Sequence, residues 1–191
     1  MKRILIWLPV LLCLTGCEML PFARELESTM LVQVLGVDWV DSGVTLTGAD
    51  DPGSGEGNVL SATGRTMEEA EQNLKGAGEQ YVSLTHVTQL VLGAQTDLAA
   101  VLAAALEKNE LSQSATVWIA REGTAQELME MVGGGGRRLS SIELNSDAQS
   151  VTVLQSLMRL NEQGEVELPL LTREGETLVY AGVRRFAEEL E

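Results

Sequence analysis

Among the side chains able to form a covalent bond, the thiol of Cys17 stands in the most informative setting. It follows Leu14, Thr15 and Gly16, a leucine and two small residues that leave the backbone open to a protease. Before them an apolar run from Ile4 to Leu14 is headed by the basic pair Lys2 and Arg3. A basic start, an apolar middle and a small-residue exit are the order of a secretory signal. With cysteine at the exit the pattern is that of a lipobox, in which the sulfur, as thiolate, accepts a diacylglyceryl group and cleavage falls just before it. A thiolate is a far better nucleophile than a hydroxyl at neutral pH, so the position requires cysteine. Two acyl chains on one residue make attachment durable, each buried CH₂ contributing about 0.8 kcal/mol. The apolar run is too short for a permanent span, which takes about 20 helical residues, and Pro9 interrupts it.

The other candidates for chemistry are weaker. His86 is the only histidine, so a two-histidine metal site and a charge-relay triad with a mature cysteine are both excluded. Of the two cysteines, Cys13 lies in the segment to be removed; no internal disulfide and no cysteine-rich zinc site follow. Gly133 to Gly136, with Arg137 and Arg138, has exposed amides and forked donors suited to phosphate. It lacks the Gly-Lys-Ser/Thr ending of a P-loop and follows a helix rather than a strand, so it reads as a connector. Gly53, Gly55 and Gly57 have the wrong spacing for a dinucleotide turn. Neighbouring acids such as Glu68 and Glu69, or Glu188 and Glu189, point apart on a helix and read as solvated surface. Trp39 and Trp118 read as core or edge packing. No catalytic, cofactor-binding or metal-binding residue is expected, and the chain is read as a non-enzyme.

Charge narrows the partners. The formal net charge is -15, and loss of Lys2 and Arg3 with the signal deepens it. This opposes nucleic acid, whose affinity comes from neutralised phosphates, and anionic headgroups repel it as well. The lipid must do the anchoring. The expected organisation is a signal peptide over 1–16, a tether over 17–29 after the lipidated cysteine, and one domain over 30–191, a length that suits a single core.

The elements that must carry this surface can be read from pattern. Leu31 to Val37 is short and rich in branched apolar residues, stopped by Asp38 and an Asp-Ser-Gly turn signal, which predicts a strand. Val44 to Thr47 pairs with it, and Val59 to Thr63 returns after a breaker-rich loop. Thr66 and Glu69 form a capping box ahead of a stripe of Met67, Ala70, Leu74, Ala77 and Tyr81, with Gly76 and Gly78 ending the helix. A strand over Val87 to Leu92 precedes a helix capped by Asp97, with Leu98, Val101, Leu102, Ala105 and Leu106 inward. Ala115 to Ala120 reads as a strand buried on both faces, and Thr124 with Glu127 repeats the capping box. Residues 137–149 give no clear pattern. Ser150 is the expected cap of a further helix with Val153, Leu154, Leu157 and Met158 inward, ending toward Gly164. Val166 to Leu171 and Leu178 to Phe186 close as strands, Pro169 placing the first at an edge. The fold class is α+β: a mixed β-sheet covered by several amphipathic helices in a single domain.

These segments together resemble the first half of the Ger(x)C family of spore germination lipoproteins, the C subunit of germinant receptors in spore-forming bacteria. Arg24-Glu25-Leu26 and Val34-Leu35-Gly36-Val37-Asp38 resemble the family's opening, and Gly64-Arg65-Thr66-Met67-Glu68-Glu69-Ala70 its strand-to-helix turn. Thr85-His86-Val87, then Trp118 to Met129, resemble the segments that follow. Leu168-Pro169-Leu170-Leu171 and Tyr180 to Phe186 resemble its closing strands. Single fragments of this kind are common; their order behind a lipobox is specific. Glu18-Met19 stands where the family has Trp-Asp, and the family's C-terminal half is absent.

The resemblance implies a non-enzymatic subunit without cofactor. It would be lipid-anchored through Cys17 to the outer face of the cell membrane, the spore inner membrane, and would contact membrane-embedded A-type and B-type receptor subunits. The alternative is a solute-binding lipoprotein of an importer, which usually needs two lobes around a cleft. Calorimetry of the domain against amino acids and sugars separates the two. A lipid-anchored hydrolase comes third, for want of a convergent nucleophile and base.

Overall fold

The computed structural model describes residues 29–50, 57–78, 80–107, 112–131, 136–175 and 177–187. The strands are β1 (Thr29–Leu31), β2 (Val34–Val40), β3 (Gly43–Ala49), β4 (Val59–Gly64), β5 (Tyr81–Ser83), β6 (Gln89–Leu92), β7 (Thr116–Ala120), β8 (Glu165–Glu174) and β9 (Thr177–Ala187). The helices are α1 (Met67–Gly76), α2 (Leu98–Glu107), α3 (Ala125–Met131), α4 (Gly136–Asn145) and α5 (Val153–Gln163). Seven strands make one mixed sheet in the order β4-β3-β2-β6-β7-β8-β9, while β1 and β5 pair in parallel beside it. An antiparallel meander, β2-β3-β4, joins a parallel centre, β2-β6-β7-β8, and the β8–β9 hairpin closes the far edge. This is the α+β domain expected from the pattern.

The buried residues show why both faces are covered. Alternating side chains of the centre divide between two clusters, as period-two geometry requires. Leu35, Val37, Leu90, Leu92, Val117 and Ile119 join Met67, Leu74, Val101 and Leu102 from α1 and α2 on one face. Val34, Val91, Trp118 and Ala120 meet Ala125, Leu128 and Met129 of α3 and Leu139 of α4 on the other. Every residue of β6 and β7 is buried, which matches their near-continuous apolar sequences.

Three caps form as the sequence predicts. Thr66 Oγ1 accepts from Glu69 N at 3.2 Å, although the Glu69 carboxylate reaches Arg65 N rather than closing the box on Thr66. Asp97 Oδ1 accepts from Ala100 N at 3.0 Å. Thr124 and Glu127 make the full reciprocal box, both bonds being 3.1 Å.

Several expectations are corrected. The predicted strand from Leu31 is two strands, with Val32 N bonded to Ser83 O and Gln33 N to Ala49 O at the break; β2 then runs through Asp38 instead of stopping there. Tyr81 begins β5 and does not extend the α1 stripe. Residues 136–145 form α4, whose pattern was obscured by the glycines before it. The cap of α5 is Thr152, in a box with Gln155, rather than Ser150. Leu106, Leu154 and Met158 face solvent, while Ser156 is buried. Pro169 lies in β8, which has β7 on one side and β9 on the other; the irregularity at Pro169/Leu171 in the β9 register accommodates a residue with no N–H.

Candidate functional site

The lipidation candidate, Cys17, the signal over 1–16 and nearly all of the tether lie outside the described residues. What the structure defines is where that tether joins the domain. Thr29 opens β1 and pairs with Tyr81, and the chain passes through Val32 and Gln33 into the first residues of β2. The tether therefore arrives at the end of the sheet where the parallel strands begin, here called the base.

The base is tied together by polar side chains. Gln89 and Thr116 open β6 and β7 and are both buried. Gln89 Oε1 accepts from Trp118 Nε1 at 2.6 Å, and Gln89 Nε2 donates to Glu143 Oε2 of α4 at 3.5 Å. Ser150 Oγ donates to Glu143 Oε1, and Thr116 Oγ1 lies 3.2 Å from Ser150 Oγ and 3.4 Å from Glu143 Oε1, with one proton to give to either. An indole N–H buried without a partner would cost about 1–3 kcal/mol, so Gln89 is what permits Trp118 at the centre of the sheet. This network pins the last turn of α4 to the base.

At the opposite end, Asp38 holds the molecule together. Its Oδ1 and Oδ2 accept from Ala125 N at 2.8 Å and Gln126 N at 3.1 Å, so a carboxylate of β2 caps the first turn of α3. Burial pushes its pKa up, the Ala125 and Gln126 N–H groups pull it down, and nearby Glu127 pushes it up, with a net rise. Gly93 leaves the room required: a Cβ there would lie 2.0 Å from Asp38 Oδ1. Thr96 Oγ1 donates to Val37 O at 3.0 Å and accepts from Trp39 N at 3.2 Å, closing the same junction. The sequence gives Asp38 only as a strand breaker, so its role was missed; a lone acid within an apolar strand was the available signal.

The remaining candidates do not converge. His86 is exposed on a turn, its Nδ1 3.0 Å from Thr85 Oγ1. Among the described residues no three of His, Cys, Asp and Glu come together as a metal set. Glu68 and Glu69 are exposed on α1, while 188–189 lie outside the described residues. So do 133–135, 53, 55 and the side chains of Arg137 and Arg138; Gly136 opens α4. Trp118 is fully buried and Trp39 packs on the core edge. A cleft of about 660 Å³ beside α3 is lined by Glu122, Thr124, Glu127, Leu128, Met131 and Arg173, among others, but Glu127 is spent on its capping box. No described helix is long and apolar enough to cross a membrane.

In a comparison with known families, residues 23–173 match the family described as spore germination protein N-terminal domain. No curated protein and no solved structure matches the chain.

Proposed function

Because this chain belongs to the spore germination protein family through that N-terminal domain, and so acts in spore germination, we propose that it is the lipid-anchored subunit of a nutrient germinant receptor. In this reading the chain is cleaved before Cys17, whose sulfur carries a diacylglyceryl group. The domain then stands on the outer face of the cell membrane, which in the spore is the inner membrane. Its work is protein contact with the A-type and B-type membrane-embedded subunits, and it catalyses no reaction. The observation that carries the reading is order: Leu14-Thr15-Gly16-Cys17 behind a secretory run, with the family match beginning just beyond, at residue 23.

Mass spectrometry of the native protein tests the anchor; it should show an N-terminal Cys17 bearing acyl chains. A Cys17→Ala chain should lose this modification, cease to copurify with the two partners and leave spores slow to answer nutrients. An unmodified thiol, or a normal nutrient response in spores lacking the gene, would overturn the proposal.

A further inference from the structure

Among the described residues seven large apolar side chains are exposed, and four of them, Tyr81, Leu106, Leu144 and Leu154, lie at or next to those ends of their elements that reach the base. Tyr81, 46 % exposed, is the residue paired with Thr29 where the tether arrives. Leu106, 53 % exposed, is in the last turn of α2, which returns from the end of β6 toward the start of β7. Leu144, 83 % exposed, is in the last turn of α4, next to Glu143, which is bonded to the first residues of β6 and β7. Leu154, 44 % exposed, donates its N–H to Gln113 O just before β7. Helix α2 is moreover apolar on every side, with Ala99, Ala103 and Leu106 outward and no charged residue before Glu107. An all-round apolar helix is normally buried.

We propose that this base is a membrane-docking surface, its occupant being the phospholipid headgroup and upper acyl region beneath the anchor. The inference rests on the lipid attachment proposed for Cys17. From Cys17 to Thr29 the chain reaches at most about 40 Å when fully extended, so the end at which Thr29 enters is kept within that distance of the lipid. Tethering raises the effective concentration of the surface to about millimolar, and a few weak apolar contacts then suffice to dock it. Side chains of this size enter the headgroup–acyl boundary to a depth of about 5–10 Å. Of the other three apolar exposures, Val40 lies at the far end of β2 and Val183 on the edge strand β9, while Met158 lies on α5 one turn beyond Leu154.

The test uses the full lipidated chain reconstituted in phosphatidylcholine vesicles containing a brominated phosphatidylcholine, which quenches tryptophan emission within the bilayer. Single variants Leu106→Trp, Leu144→Trp and Leu154→Trp are read against Val40→Trp and the parent chain, all of them at solvent-facing positions that tolerate a larger side chain. Interfacial residence at about 5–10 Å depth should give the three base variants roughly a twofold or greater loss of the added emission, with little change for Val40→Trp. Chains that float with the vesicles while none of the base variants is quenched would overturn the docking alone and leave the base to a protein partner. Chains that fail to float would overturn the anchor and the docking with it.

Discussion

Asp38 shows how one carboxylate can decide whether two layers stay together. It stands in a strand, half-buried, and spends both oxygens on the amides of α3. Replacing it with alanine leaves Ala125 and Gln126 N–H without acceptors and should cost about 1–3 kcal/mol. Its net raised pKa gives a sign that can be checked. A carboxyl whose folded pKa lies above its unfolded value adds stability that is complete below the unfolded pKa and is lost as pH rises through the folded one. Asp38→Asn removes that titration. Urea unfolding should therefore find the parent's advantage over Asp38→Asn largest in acid and smaller at neutral pH; a gap that widens with pH would refute the account. At this scale the sequence was a partial guide. Thr124, Glu127 and Asp97 announce their caps by spacing alone, because capping is local, whereas the partners of Asp38 and Gln89 lie far along the chain and nothing local predicts them.

Elements followed the sequence where their signals were self-contained. Periodicity and caps located α1, α2 and α3, and apolar runs located β6 and β7, which are buried on both sides. It failed where tertiary packing rotated or re-used a segment. Leu154 and Met158 fit an inward stripe as well as Leu157 and Leu160 do, and only the position of α5 against the sheet chooses between them. Two glycines at opposite ends of α1 separate packing from propensity. A Cβ on Gly64 would lie 2.3 Å from Ala70 N and 2.7 Å from the Glu69 carbonyl carbon, both backbone atoms, so Gly64→Ala must push α1 off β4 and should cost about 1–3 kcal/mol. A Cβ on Gly76 meets nothing within 4 Å, and Gly76→Ala should instead gain up to about 1 kcal/mol from helix propensity. Denaturant midpoints moving in opposite directions would confirm the pair.

For the molecule as a whole, ordered fragments identified the family before any contact was known, and the match over residues 23–173 agrees. The surface was less legible: four apolar residues from distant segments come to the same end of the sheet only because the parallel strands start together. The net charge of -15 sets how that surface behaves. Anionic lipid repels an acidic domain, and salt screens the repulsion over a Debye length of about 10 Å at 0.1 M. Exchanging phosphatidylcholine for phosphatidylglycerol should therefore weaken quenching at Leu106→Trp and Leu144→Trp, and added salt should restore it; a gain in quenching with anionic lipid would contradict the picture.

The order β4-β3-β2-β6 has a consequence for biogenesis. A nascent chain emerging N-terminus first can assemble the meander of β2, β3 and β4 early, yet the other side of β2 gains its ladder only when residues 89–92 appear. Until then an apolar strand offers unpaired amides and carbonyls to any neighbour, which is how growing polypeptides aggregate. Chaperone capture should accordingly be strongest for nascent lengths that include β4 and stop short of β6.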